Sequence, residues 1–196
     1  MNSILRRRRA LMMAGQGGGE TPVYELTNRA VSTGDSIDTE VAFMSSGFAG
    51  TVLLDITLNG NPTGASATAR TYKLIYVGNT ASSSFALFFG KTSRNAAYHT
   101  IGFYGGNESH GVWTNGAGRY KIAITHGANE NTVTAKQKKD SGAVESFDYS
   151  RTYSPVTDTL HFGGPDTAQA LYAGTIHSAK IYNRVLSQSE IDAFFA

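Results

Sequence analysis

The chain has 196 residues, 17 Lys+Arg against 15 Asp+Glu, five His and no Cys. With no cysteine, disulfide scaffolds and Cys-based zinc or catalytic sites are excluded, and the chain is expected to fold without covalent staples, as proteins assembled in the cytoplasm usually do. Four of the basic residues stand together as Arg6 to Arg9; without them 13 basic residues face 15 acidic ones, a balance of −2, so a nucleic-acid-binding body is not expected.

The opening MNSILRRRRALMMAGQGGG has a basic stretch followed by Ala10, Leu11, Met12, Met13 and Ala14. That apolar run is too short for a signal-peptide core, and far short of the roughly 20 residues of a membrane helix, so neither secretion by that route nor a membrane partner is expected. GQGGGETP then reads as a flexible hinge, which divides the chain into an N-terminal arm, residues 1–19, and one domain, residues 20–196. Four adjacent guanidiniums repel one another and need opposite charge nearby. The expectation is that at least two of Arg6, Arg7, Arg8 and Arg9 meet carboxylates outside their own domain, in identical copies or another protein. Leu11, Met12 and Met13 are expected to fill apolar holes at the same interface.

After the hinge the hydrophobic period is two. In IDTEVAF, residues Ile37, Thr39, Val41 and Phe43 alternate with Asp38, Glu40 and Ala42; in TVLLDITLNG, Val52, Leu54, Ile56 and Leu58 alternate with Asp55 and Thr57. Further strands are expected in TYKLIYVG, SFALFFGK, HTIGFYGG, RYKIAITHG, NTVTAKQKK, TLHFGG and ALYAGTIHSAKIYN, divided by turn-forming clusters such as NGNPTG and TNGAG. Nine or more such strands predict an all-β fold, a two-sheet antiparallel jelly-roll sandwich.

One helix is written at the C-terminal end. In RVLSQSEIDAFFA, Ser187 is the N-cap, Glu190 closes a capping box, and Leu186 with Ile191 forms a hydrophobic staple. Ile191, Phe194 and Phe195 give it one apolar face, expected to seal an open edge of the sandwich.

TLHFGGPDTAQALYAGTIHSAKIYNRVLSQSEIDAFFA resembles the closing segment of laminin-G-like, concanavalin-A-type jelly rolls: a strand ending at Gly163 and Gly164, a G-x-I strand at Gly174 to Ile176, then Ile181 to Arg184 with Leu186, then Ser187 to Ile191. GRYKIAITHGANENTVTAKQKK is similar to that family's paired central strands. The resemblance implies the concanavalin A-like fold and leaves function open, because related domains include glucan hydrolases, lectins and adhesion modules. The hydrolases carry acids at alternate positions of one strand as acid and nucleophile. The nearest equivalent here is Asp38 with Glu40, without the third acid, so no enzyme and no catalytic residue is expected. A calcium ion, which some such domains hold at the rim, could use Asp35, Asp158 or Asp166.

His99, His110, His126, His161 and His177 show no metal-ligand spacing and read as strand or loop residues, so no metal site and no cofactor is expected beyond that calcium alternative. The segment FYGGNESHGVWTNGAGRY, residues 103–120, reads as a surface connection between two strands. It gathers Tyr104, Asn107, Glu108, His110, Asn115 and the only tryptophan, Trp113, offering an aromatic face and hydrogen-bonding groups to a sugar. A cysteine-free jelly roll on a hinged arm is similar to accessory proteins of phage virions. The first expectation is therefore a non-enzymatic virion surface protein, a head decoration or fibre or a tail adhesin, assembled in the host cytoplasm, homo-oligomeric, anchored by its arm and displaying a glycan-binding domain. The alternative is a carbohydrate-binding module of a bacterial protein, and a glycoside hydrolase comes third.

Overall fold

The computed structural model describes residues 21–32, 35–43, 45, 47–59, 72–77, 84–89, 99–104, 108–113, 117–127, 132–150, 158–163 and 173–196. At 72–73, 84–89, 99–104, 108–113, 132 and 147–150 it describes the backbone alone. The arm, and with it Arg6 to Arg9, Leu11, Met12 and Met13, lies outside the described residues.

Among the described residues there are twelve strands and one helix: β1 Tyr24–Val31, β2 Ile37–Asp38, β3 Gly50–Leu58, β4 Tyr72–Val77, β5 Ser84–Phe89, β6 His99–Tyr104, β7 Glu108–Trp113, β8 Gly118–His126, β9 Thr132–Lys139, β10 Val144–Ser150, β11 Leu160–Phe162, β12 Gly174–Tyr182 and α1 Gln188–Phe195. They form two six-stranded sheets, β1-β12-β3-β8-β9-β10 and β2-β11-β4-β5-β6-β7. Every pairing between described strands is antiparallel, as in a jelly-roll sandwich.

The core lies between the sheets and follows the period-two pattern. Val52, Leu54, Ile56 and Leu58 of β3 meet Tyr120, Ile122 and Ile124 of β8, Ile176, Ala179 and Ile181 of β12, and Ile75, Val77, Leu160 and Phe162 from the second sheet. Gly174 opens β12 opposite Leu58, where a side chain would collide with the Thr57 carbonyl; glycine is what lets β12 lie against β3. Gly163, at φ 88°, turns the chain out of β11 in a conformation that L side chains rarely adopt.

Three expectations are corrected. IDTEVAF is not one regular strand: β2 ends at Asp38 and Glu40 turns the chain at φ 60°, while the Thr39 N–H and the Val41 carbonyl still bond the Leu160 backbone. Thr39 and Phe43 are buried, and the Thr39 N–H and hydroxyl both donate to the Leu160 carbonyl, so the inward positions of the alternation persist past the irregularity at Glu40. Segment 103–120 is not one surface connection, since it contains all of β7. The helix does not seal an edge. It packs Ile191 and Phe195, with Leu186, onto Leu53 and Ala123 on the outer face of central strands β3 and β8. β1, β7 and β10 were not expected as strands.

The cap of α1 forms as expected. Glu190 N–H donates to Ser187 Oγ and Glu190 Oε2 accepts from Ser187 N–H at 2.8 Å. Arg184 adds a bidentate grip on the Glu190 carboxylate at 3.0 and 2.6 Å. Lys136 Nζ donates to Gln188 Oε1, and Lys138 Nζ donates to the Phe195 carbonyl at the negative end of the helix. The stretch that carried the family resemblance thus codes for holding the helix on the sheet.

Candidate functional site

Two faces can present side chains to a ligand: the outer face of the second sheet, and the part of the first sheet's outer face that α1 leaves uncovered. On the second sheet, directly opposed Cα partners run in one row from Asp38 through His161, Tyr76, Ala86 and Gly102 to Ser109. Leu160 and Phe162 point into the core, which turns His161 outward, and the same alternation in β4 turns Tyr76 outward between Ile75 and Val77. Tyr76 is nonetheless only 4% exposed, so Asp38 and His161 stand at the margin of a sheltered surface.

At that margin a polar constellation is assembled. Asp38 Oδ1 accepts from the Thr159 hydroxyl at 2.7 Å and from the Glu40 N–H at 2.8 Å, and the Thr159 hydroxyl lies 3.4 Å from His161 Nε2. Burial alone would raise the Asp38 pKa. The Glu40 N–H, the Thr159 hydroxyl and the nearby His161 more than offset it and hold the carboxyl below its usual range. A charged acceptor, a hydroxyl and an imidazole can hydrogen-bond the hydroxyls of a small polar ligand.

The expected glycan segment belongs to the same sheet. Tyr104 ends β6, Glu108 opens β7 opposite Phe103, His110 lies within β7 and Trp113 closes it opposite His99; Asn107 and Asn115 fall outside the described residues. The hairpin does not gather these residues at one point. The backbones of Glu108 and Trp113 oppose positions four residues apart on β6, about 13 Å along a strand. Tyr104 and Glu108 share one end and Trp113 occupies the other.

On the first sheet Asp55, only 6% exposed, accepts from Arg119 Nε at 2.7 Å and Nη2 at 2.6 Å, and Thr57 Oγ1 lies 2.8 Å from His177 Nε2. Neither pair was legible in sequence, since Asp55 and Thr57 read only as the solvated side of β3. The signal was an acid two residues beyond an outward leucine, Leu53, in an otherwise apolar strand.

The remaining expected residues have plain places. His126 is buried, its Nδ1 bonded to the Phe48 carbonyl at 3.0 Å, and each of the five histidines lies in a different strand. Asp38 and Glu40 do not form a pair on one strand face, because Glu40 stands beyond the strand end. Asp35 accepts from the Ser32 N–H within its own turn, and Asp166 lies outside the described residues. Among the described residues no three His, Cys, Asp or Glu side chains come together as a metal site, and no helix is long and apolar enough to cross a membrane.

No protein-family model matches the chain, and no curated protein sequence matches it significantly. Solved structures share its fold. The CBM40 domain of a Ruminococcus gnavus IT-sialidase bound to α2,6-sialyllactose superposes with TM-score 0.57 at 17% identity, covering 89% of this chain and 100% of that one. The same domain with α2,3-sialyllactose gives 0.54 at 18%, covering 88% and 97%. NanB sialidase from Streptococcus pneumoniae gives 0.58 at 14%, where 87% of this chain matches only 28% of that much longer one. These likenesses establish a β-sandwich of the kind found in sialidase-associated binding domains.

Proposed function

We propose that this domain is a carbohydrate-binding module that holds glycans on the outer face of its second sheet and does not cleave them. The observation that carries the reading is the match, over nearly the full length of both chains, to the CBM40 domain of a sialidase bound to sialyllactose. Two features of this chain support the choice of face. The polar constellation of Asp38, Thr159 and His161 lies on the second sheet, and so do Tyr104, Glu108, His110 and Trp113 of the expected glycan segment. The first sheet, by contrast, is partly roofed by α1. Binding without hydrolysis is supported at Asp38 and Glu40, where the two-carboxylate arrangement of a glycosidase is not assembled.

This reading favours the alternative drawn from the sequence over a phage virion protein. The virion reading rests on residues 1–19, and the sandwiches named above are sialidases and their binding domains. Anchoring by Arg6 to Arg9 is a separate proposal, and deleting residues 1–19 is expected to abolish any attachment while leaving glycan binding intact.

The test is a glycan array that includes both sialyllactose linkages and their unsialylated counterparts, followed by calorimetry. His161→Ala and Trp113→Ala are each expected to weaken binding about tenfold, roughly 1.4 kcal/mol, with unchanged thermal unfolding. Release of reducing sugar would overturn the non-catalytic part. Absence of binding to every glycan would overturn the whole.

A further inference from the structure

The first sheet's uncovered polar face is not needed for glycan binding on the second. Its backbone is irregular at one place: the β12–β3 register shifts between Ile176 and Ser178, which makes His177 the extra residue of a bulge, and on β1 the facing position is Asn28 at φ 50°. Bulges re-aim side chains, and this one turns His177 onto Thr57. Thr57 is directly opposite Arg119 on β8, and Asp55 is the next outward residue of β3, so the four side chains share one patch.

We propose that Arg119, His177 and Thr57, with Asp55 behind them, form a binding site for an oxyanion: the carboxylate, sulfate or phosphate group of an anionic ligand. Arg119 has five N–H donors; two are held by Asp55, and the other three have no partner among the described residues. Its side chain is 52% exposed whereas that of Asp55 is 9% exposed, so the acid fixes the plane of the guanidinium while the free edge faces outward.

His177 and Thr57 supply a further donor in either tautomer. If the Thr57 hydroxyl donates to Nε2, the ring N–H is on Nδ1 and free; if Nε2–H donates to Thr57, the hydroxyl hydrogen is free. The charge balance favours an anion. Asp55 is matched by Arg119, and Asp140 turns its carboxylate to the Arg119 backbone N–H and to Lys139. Lys121, opposite Asp55 in register, leans away with its Nζ 5.8 Å from the centre of the Phe194 ring, which leaves Arg119 as the cation of the patch. The fold alone does not call for this pair, since one pleat away Leu53 and Ala123 fill the equivalent positions with apolar groups, and an ion pair with a half-exposed partner adds little stability.

The test uses the full chain, isotope-labelled, titrated separately with inorganic sulfate, inorganic phosphate and acetate at constant ionic strength in chloride. Saturable shifts of the Arg119 Nε–H and His177 ring signals are expected, and the anion that saturates first identifies the chemistry. Arg119→Gln is expected to weaken binding about tenfold and His177→Ala several-fold, with glycan binding unchanged. Should Arg119→Gln fail to fold, Arg119→Lys keeps the charge, loses the planar fork and is expected to bind less tightly. Shifts that rise without saturation for all three anions, or equal affinity in wild type and variants, would overturn the proposal. Glycan binding is read separately, so failure of one assignment leaves the other standing.

Discussion

Two halves of one sheet face make the instructive comparison. Beneath α1, the outward residues of β3 and β8 are Leu53 and Ala123, closed over by Leu186, Ile191 and Phe195. One pleat further along the same strands they are Asp55 and Lys121, then Thr57 and Arg119; Asp55 holds the Arg119 guanidinium in a bidentate ion pair and Thr57 bonds His177. Strand, parity and pairing are the same in both halves. The difference lies in what covers each, apolar side chains of a helix or the arm of an arginine, and so the two should respond differently to substitution.

The largest effect is expected beneath the helix. Phe195→Ala removes a ring that is 4% exposed and is expected to cost about 3 kcal/mol in urea unfolding, with an unchanged m-value. A cost close to zero would mean that the helix is an ornament and that the two halves do not differ. In the polar half the cost is expected to be smaller, because Arg119 is half exposed and solvent screens its pair. Asp55→Asn is expected to cost about 1–2 kcal/mol, and a double-mutant cycle with Arg119→Gln to show coupling of about 1 kcal/mol. A coupling above that of a buried pair would place both groups in a dry core and erase the contrast. Next comes the cap that anchors the dry half: Ser187→Ala is expected to cost about 1 kcal/mol, read by the same unfolding curve.

The comparison also marks how far the sequence can be read. Alternation in TVLLDITL identifies the inward set Val52, Leu54, Ile56 and Leu58, and the capping box at Ser187 and Glu190 is written in adjacent letters. Local rules reach that far because their partners lie within a few residues. Leu53 and Asp55 share the outward face, and nothing near them in sequence tells that the first meets Ile191 and Phe195 while the second meets Arg119, 64 residues on. The same limit governs the second sheet. Thr159 reaches Asp38 across 121 positions, and Glu40 left its strand because a turn at φ 60° fits the Asp38 carboxylate to its own N–H. β7 is not legible in sequence because Gly and Asn flank it densely enough to read as turn chemistry.

The smallest effect, and the most specific to the helix-bearing half, concerns acid. Glu190 is only partly buried, yet its pKa is lowered from an ordinary 4.5 to about 2, first by the Arg184 guanidinium and then by the N–H and hydroxyl of Ser187. A carboxyl whose pKa is depressed in the folded state binds fewer protons there than in the unfolded chain, so it stabilises the fold above its unfolded pKa. That contribution is complete above about pH 4.5 and is lost as the pH falls through about 2. Asp38 and Asp140 are shifted in the same direction, so acid unfolding of the wild type alone does not isolate the cap. The difference between wild type and Glu190→Gln does. Glu190→Gln is expected to be less stable at neutral pH, and the gap should narrow steadily between pH 4.5 and 2, followed by amide exchange at Ile191 and Phe195. A gap independent of pH would show that the carboxylate charge plays no part and that the capping geometry alone holds the helix on Leu53 and Ala123.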